Sequence, residues 1–193
     1  MAQILPKLIS LGTSVPPHRI TQADVLSILA EAKGQALPPR MAEILGNTGI
    51  SQRHIAMPPE YYFNARSWAG RARVYENTAA HLFEAAAMQA LARAGVKAAD
   101  IGQIVFVSTT GTMTPSLPSR MIASMGFAPD TRCVPLFGYG CAGGVLGLGV
   151  AADLFRACPA KPVLLVRLEL CSLAYDHARM DKKDMVALAL FAD

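Results

Sequence analysis

The chain has 193 residues, 52% hydrophobic and 17% charged, with a mean hydropathy of +0.31; this allows a sizeable core and predicts buried strands and a large interface. The net charge of +4 and pI of about 9.0 come from scattered basic residues, apart from the small group Arg66, Arg71 and Arg73. That excludes the basic, aromatic-interleaved stripe of a nucleic-acid binder and leaves a solvated face or a small anionic ligand. No uninterrupted apolar run reads as long enough to span a bilayer, and residues 1–7 lack a signal-peptide core, so a cytoplasmic location is the default expectation. Cys133, Cys141, Cys158 and Cys171 show neither C-x-x-C pairing nor a histidine at ligand spacing, which argues against a metal site or a disulfide framework.

In chain order, Leu8-Ile9-Ser10-Leu11-Gly12 reads as a first strand and the segment with Pro16-Pro17 as a loop. Thr21 is placed to cap a helix, with Asp24 three residues on and Ile20 before it; Gly34 ends that helix. Pro38-Pro39 opens a second helix that closes at Gly46-Asn47, and 49–55 turns into an extended segment in which His54 reads as a structural hydrogen-bonder. The spacing predicts a helix over 61–73, carrying Trp68, and an alanine-rich helix over 76–94, with His81 on a partly exposed face. Strand 101–108, polar loop 109–116 and helix 117–125 follow. After the Cys141 region come a buried strand over 162–169, a charged loop over 176–183 and a last apolar strand over 185–191. Helices alternating with apolar strands predict an α/β fold with a mostly parallel sheet. Stopping two residues after an apolar strand suggests that more chain should follow.

The informative stretch is Cys133 to Asp153. Cys133-Val134-Pro135-Leu136-Phe137 suits a buried strand, Gly138-Tyr139-Gly140 breaks it, and 142–153 is small and apolar, as for a helix packed on all sides. Cys141 then lies at or beside a helix N-terminus, where free N–H groups and the macrodipole favour the nucleophilic thiolate. Two other readings fit the same residues. One is a small buried cysteine in a tight turn. The other is a dinucleotide fingerprint, Gly138-x-Gly140-x-x-Gly143, with Glu169 as the ribose-binding acid. Cys133, Cys158 and Cys171 read as packing residues.

Seven stretches, in order, resemble the thiolase superfamily and within it the type III polyketide synthases of the chalcone and stilbene synthase group. They are 12–22 (GTSVPPHRITQ), 48–54 (TGISQRH), 107–111 (VSTTG), 114–117 (TPSL), 137–144 (FGYGCAGG), 168–173 (LELCSL) and 190–193 (LFAD). Together they outweigh a glycine spacing, so the dinucleotide reading is set aside and the glycines are assigned to close helix packing. The resemblance covers the N-terminal half of such an enzyme, one half of a duplicated thiolase-like fold with a mostly parallel mixed sheet. The family's catalytic histidine and asparagine belong to the other half; His18, His54, His81 and His177 do not match that histidine.

The resemblance implies an acyltransferase that loads an acyl group from a coenzyme A thioester onto Cys141 and extends it by decarboxylative condensation with malonyl-CoA. No cofactor is implied beyond these substrates, and no nucleic-acid or membrane partner. Fixed donors are needed where enolate charge develops, and removing one in other enzymes costs about 3–4 kcal/mol; without histidine and asparagine the chain alone is expected to reach cysteine acylation at most. Phe191 matches the aromatic gatekeeper of the family, and fits an ordinary core residue equally. Thr109 and Glu169 match a polar network beside the cavity, Ala174 a cavity-wall position, and Thr114 a loop residue reaching a neighbouring subunit, which implies a homodimer. Arg40 matches a coenzyme A-contacting cation. Three residues depart from the pattern: Asn47 replaces a phosphate-contacting cation, Arg167 interrupts an apolar strand at a cost if buried unpaired, and Ala192 replaces a glycine, a strain if φ is positive there.

Two alternatives stay open. Residues 48–56 also resemble a ketoacyl synthase III-like condensing enzyme. A non-enzymatic reading makes the chain a truncated remnant or a dimerisation partner, poorly soluble by itself because an apolar face lies open.

Overall fold

The computed structural model describes residues 5–34, 36, 39–175 and 182–193. The readings on 1–4, on Pro38, on His177 and on the loop at 176–181 lie outside the described residues. The chain divides into two compact units, Met1–Ser14 with Ala79–Glu169, and Val15–Thr78 with Leu170–Asp193.

The first unit is built on β3 (Gln103–Ser108), with β4 (Arg132–Phe137) and β5 (Val163–Arg167) parallel on either side in the order β4-β3-β5. Every residue of β3 is buried. Its side chains alternate between the two faces, as a pleated strand requires. Phe106 meets Phe83 of α3 (Trp68–Ala94), with ring centroids 6.1 Å apart. Val107, on the opposite face, lies under α5 (Gly143–Ala157). In this unit α3 buries Ala79, Phe83, Ala87 and Leu91, one residue every fourth position, which makes the stripe that covers the sheet. Beside β4, α4 (Leu117–Ser124) buries Leu117, Pro118 and Met121.

The second unit holds a two-stranded antiparallel ladder, β1 (His18–Thr21) with β2 (Gln52–Ile55), together with α1 (Gln22–Lys33), α2 (Pro39–Gly46) and α6 (Lys182–Leu190). Ile20, Val25, Leu29, Met41, Leu45, Ile55, Tyr62 and Ala189 form its core. The helix start read from Thr21 is present as a reciprocal cap: Thr21 Oγ1 accepts from Asp24 N–H at 3.1 Å, and Asp24 Oδ2 accepts from Thr21 N–H at 2.6 Å.

The predicted mixed sheet is thus a parallel sheet of three strands plus a separate antiparallel pair. Several predicted elements differ. Residues 8–12 form no ladder; among the described residues no strand pairs with them, and Leu8 is 79% exposed. Side chains along α3 hold the segment instead. Ser10 Oγ donates to the Ala90 carbonyl at 2.8 Å, Thr13 N–H to Gln89 Oε1 at 2.8 Å, and Arg93 Nη1 to the Leu11 carbonyl at 2.6 Å. The helix predicted over 61–73 is a 3-10 turn at Pro59–Phe63 followed by α3, which runs unbroken from Trp68 through the second predicted helix. The last apolar strand is the helix α6: the run is too short for period to separate the two, and its burial is helical, with Ala189 inside and Val186 and Leu190, four apart, outside.

Helix α5 is not packed on all sides. Gly143 and Gly147 are buried, whereas Val145, Leu146 and Leu148 are exposed. The stretch Gly140–Ala157, with mean hydropathy 1.2, is long and apolar enough to cross a membrane by length and composition alone, although Asp153 and Arg156 interrupt it, so it is not an uninterrupted apolar run. Its glycine face, however, lies against β3 and β5.

Candidate active site

Strand β4 delivers the chain to Cys141. It is a half-covered edge strand rather than the buried one predicted, with Arg132, Pro135 and Phe137 exposed. Gly138 and Gly140 then take φ of 84° and 54°, left-handed conformations that a side chain would strain. A 3-10 turn at Gly140–Ala142 runs directly into α5, with Gly143 N–H on the Gly140 carbonyl. Cys141 is exposed, two residues before the first residue of α5, and the flanking Phe137 and Tyr139 are exposed too.

Close approach of α5 fixes where that corner stands. A Cβ added to Gly143 would lie 2.6 Å from Val107 Cγ1, and one on Gly147 would lie 2.8 Å from Val107 Cγ2 and 2.9 Å from Leu165 Cδ1. The glycines therefore serve helix-on-sheet packing. At Gly144 the contact would be 3.1 Å to Arg167 Cδ. Arg167 is exposed at the end of β5 and lays its stem along the helix, so the expected cost of burying it does not arise.

A polar tie holds the same corner from the other side. Gly140 N–H donates to Thr109 Oγ1 at 3.1 Å. The Glu169 carboxylate accepts from Thr109 N–H at 3.1 and 3.0 Å, from Thr110 N–H at 3.0 Å and from Thr110 Oγ1 at 2.8 Å. Glu169, just past β5, thus gathers the loop after β3, and that loop gathers Gly140; such charge-assisted bonds are the stronger kind. These oxygens are engaged within the fold, which removes the ribose-binding role considered for Glu169. Thr114 lies exposed further along the same loop, its carbonyl accepting from Arg120 Nη2 at 3.4 Å.

In the second unit, Arg40 is exposed in the first turn of α2, and Asn47 is exposed just beyond that helix. Ala174 is exposed at the end of a 3-10 turn, Cys171–Ala174. Phe191 follows α6 and is 50% exposed. It borders an open depression of 510 Å³ with Lys183, Val186, Ala187 and Leu190. Ala192 carries no strain, since among the described residues only glycines have positive φ.

Three residues around Phe191 were not singled out from the sequence. Arg53, 4% exposed, donates from Nη1 to the carbonyls of Leu188 (2.7 Å) and Phe191 (2.8 Å) and from Nη2 to the Ala189 carbonyl. Its Nε donates to Gln22 Oε1 at 2.7 Å. Burial pulls its pKa down. Ser172 Oγ donates to Asp193 Oδ2 at 2.5 Å and accepts from Tyr62 Oη at 2.9 Å and Ala56 N–H at 3.1 Å; Ser172 N–H reaches Asp193 Oδ1 at 2.6 Å. That hydroxyl uses its one proton and both lone pairs. Burial pushes Asp193 above the ordinary carboxylate range, against the Ser172 and Ala56 bonds that lower it, and pushes Tyr62 up to about 12. His54 Nδ1–H donates to the Pro16 carbonyl at 2.7 Å, a structural bond as read. Of the other cysteines, Cys133 is half-buried, burial pushing its thiol up, and Cys171 is half-buried; Cys158 is exposed at the end of α5, so it is no packing residue. Among the described residues no group of three His, Cys, Asp or Glu side chains could hold a metal ion.

Known proteins are similar to this chain in sequence and in fold. A family model described as the N-terminal domain of chalcone and stilbene synthases matches residues 2–193. The chain belongs to that family. It is 34% identical over 186 residues to a 1,3,6,8-tetrahydroxynaphthalene synthase of Streptomyces peucetius subsp. caesius, covering 95% of this chain and 49% of that protein. To a phloroglucinol synthase of Pseudomonas fluorescens it is 32% identical over 181 residues, covering 92% and 51%. The crystal structure of the 1,3,6,8-tetrahydroxynaphthalene synthase of Streptomyces coelicolor A3(2), a bacterial type III polyketide synthase, superposes with a TM-score of 0.88 at 34% identity, over 95% of this chain and 54% of that one. A polyketide synthase of the brown alga Ectocarpus siliculosus gives a TM-score of 0.90 at 25% identity, over 100% and 55%. The chain therefore has the thiolase-like fold of type III polyketide synthases and spans about half the length of these relatives.

Proposed function

We propose that these residues carry the nucleophile of a type III polyketide synthase-like acyltransferase, with Cys141 as the catalytic residue. In this reading the Cys141 thiolate attacks the carbonyl carbon of an acyl-coenzyme A; the carbon–sulfur bond to coenzyme A breaks, and the released thiolate takes a proton. Malonyl-CoA then loses carbon dioxide. The electron pair left behind forms an enolate that attacks the Cys141 thioester, making a carbon–carbon bond and freeing the Cys141 thiolate. The donors that steady the enolate are the family's histidine and asparagine, in the half of the relatives that this chain does not span.

One observation supports this reading above the rest. Cys141 is exposed at the start of a helix whose position is set by close contact at Gly143 and Gly147 and by the Glu169–Thr109–Gly140 tie. Catalysis needs a nucleophile held in one place and open to its substrate, and this corner offers both. By the family resemblance, Phe191 is assigned the gatekeeper role, Ala174 a cavity-wall position, Thr109 and Glu169 the polar network, and Arg40 a contact to coenzyme A. The exposed apolar side chains Val145, Leu146 and Leu148 suit contact with further protein, and Thr114 is assigned to a homodimer contact. A cytoplasmic enzyme fits coenzyme A thioester substrates.

Mass spectrometry of the full-length protein after incubation with an acyl-coenzyme A tests the reading. One acyl adduct on the peptide containing Cys141, absent in Cys141→Ala, is expected. Polyketide formation by Cys141→Ala at the parent rate would sink it.

A further inference from the structure

Phe191 presents an unusual combination: a half-exposed ring on a backbone with both polar groups committed. Its N–H donates to the Ala187 carbonyl at 2.8 Å, the last turn of α6, and its carbonyl accepts from Arg53 Nη1 at 2.8 Å. These two bonds fix the stretch of backbone that carries the ring. Arg53 is central to that backbone. Its guanidinium closes on three carbonyls at the end of α6, the negative end of the helix dipole, which offsets the cost of burying the cation. Gln22 holds the guanidinium from behind and is itself held, donating from Nε2 to the Leu45 carbonyl at 3.0 Å and to Thr48 Oγ1 at 3.2 Å. Two residues on, the Asp193 carboxylate is fixed by Ser172.

We propose that Arg53 is the positioning residue for Phe191 in the acyl-transfer reaction, an inference that rests on the function proposed above. A lysine cannot replace it, because one ammonium lacks the planar fork that spans three carbonyls and Gln22 at once. Arg53→Lys keeps the charge at the helix end and releases the Phe191 carbonyl.

A double-mutant cycle in the full-length enzyme, assayed with an acyl-coenzyme A and malonyl-CoA, tests this. Arg53→Lys is expected to lower kcat/KM by about tenfold to a hundredfold. It should move the division between kcat and KM, and the product lengths, in the direction that Phe191→Ala moves them. In the Phe191→Ala background, Arg53→Lys should cost less than about twofold. Equal losses in both backgrounds overturn the proposal while leaving the function of Cys141 standing; a Phe191→Ala enzyme with parent kinetics overturns it as well. Failure of the underlying function is seen separately, as no acyl adduct on Cys141 in the parent enzyme. Should Arg53→Lys not fold, Gln22→Ala replaces it, with 4-fluorophenylalanine at position 191 read by fluorine NMR. A shifted or broadened resonance in Gln22→Ala supports the proposal, and an unchanged one overturns it.

Discussion

The corner at Cys141 and the segment at Phe191 solve one problem in opposite ways. Each must hold an exposed side chain in a fixed direction. At Cys141 the backbone is fixed largely by what is missing: Gly138 and Gly140 adopt left-handed φ, and Gly143 and Gly147 let α5 close on Val107 and Leu165. At Phe191 it is fixed by polar groups taken into the interior, Arg53 on three carbonyls and Asp193 on Ser172. The first device is steric and should respond to added volume. The second is electrostatic and should respond to charge and pH.

The largest effect is expected where volume is added to the first device. Gly143→Val puts a Cβ 2.6 Å from Val107 Cγ1, with two methyls beyond it, so the helix must lift. Overpacking of this kind costs about 1–3 kcal/mol or more. The full-length variant should unfold at lower denaturant concentration and lose acylation at Cys141. A variant as stable as the parent, measured by chemical denaturation, would show that α5 is not seated as described.

Next in size is the polar tie. In Glu169→Gln the amide nitrogen cannot accept, so some of the donors from Thr109 and Thr110 lose their partner. Unsatisfied donors cost about 1–3 kcal/mol. Because Thr109 also accepts from Gly140 N–H, the acylation rate at Cys141 should fall along with stability. Loss of stability with an unchanged acylation rate would separate the tie from the corner.

A control away from both regions comes third. Thr21→Ala removes the side-chain half of the α1 cap and should cost about 1 kcal/mol in denaturant titration, with no change in Cys141 acylation.

The same contrast explains what was legible in the sequence. The corner at Cys141 is local: strand, glycines, cysteine and small helix lie within about twenty residues, and each choice has a steric reason visible in the letters. The Thr21 cap is legible for the same reason. The polar device joins residues far apart: Arg53 meets α6 across 136 positions, and Ser172 meets Asp193 across 21. No local pattern announces an arginine that caps a helix so distant. Residues 185–191 were misread because seven apolar residues fit a strand or a helix, and the burial of Ala189 decides between them only once packing is known. Residues 8–12 have strand composition but no ladder, because pairing depends on what lies beside the segment and not on its own residues.

The smallest expected effect tests the second device by its sign. Burial raises Asp193 above its ordinary value of 3.8, and bonds from Ser172 and Ala56 partly offset the rise. A carboxyl with a raised folded-state pKa binds its proton more tightly folded than unfolded. Its contribution to stability is complete below pH 3.8 and is lost as pH climbs through the raised value. Asp193→Asn cannot titrate, and its one amide oxygen can accept only one of the two Ser172 bonds, a loss that displaces the difference without giving it a slope with pH. The stability difference between parent and variant should therefore drift against the parent as pH rises from 3.8 to above the raised value, then level off; other carboxylates cancel in the difference. Denaturant titrations at a series of pH values read this slope directly. A drift in the parent's favour would mean that the charged form is the one the Ser172 site prefers, and the polar device would then be an ordinary stabilised carboxylate, not a buried one held under strain of desolvation.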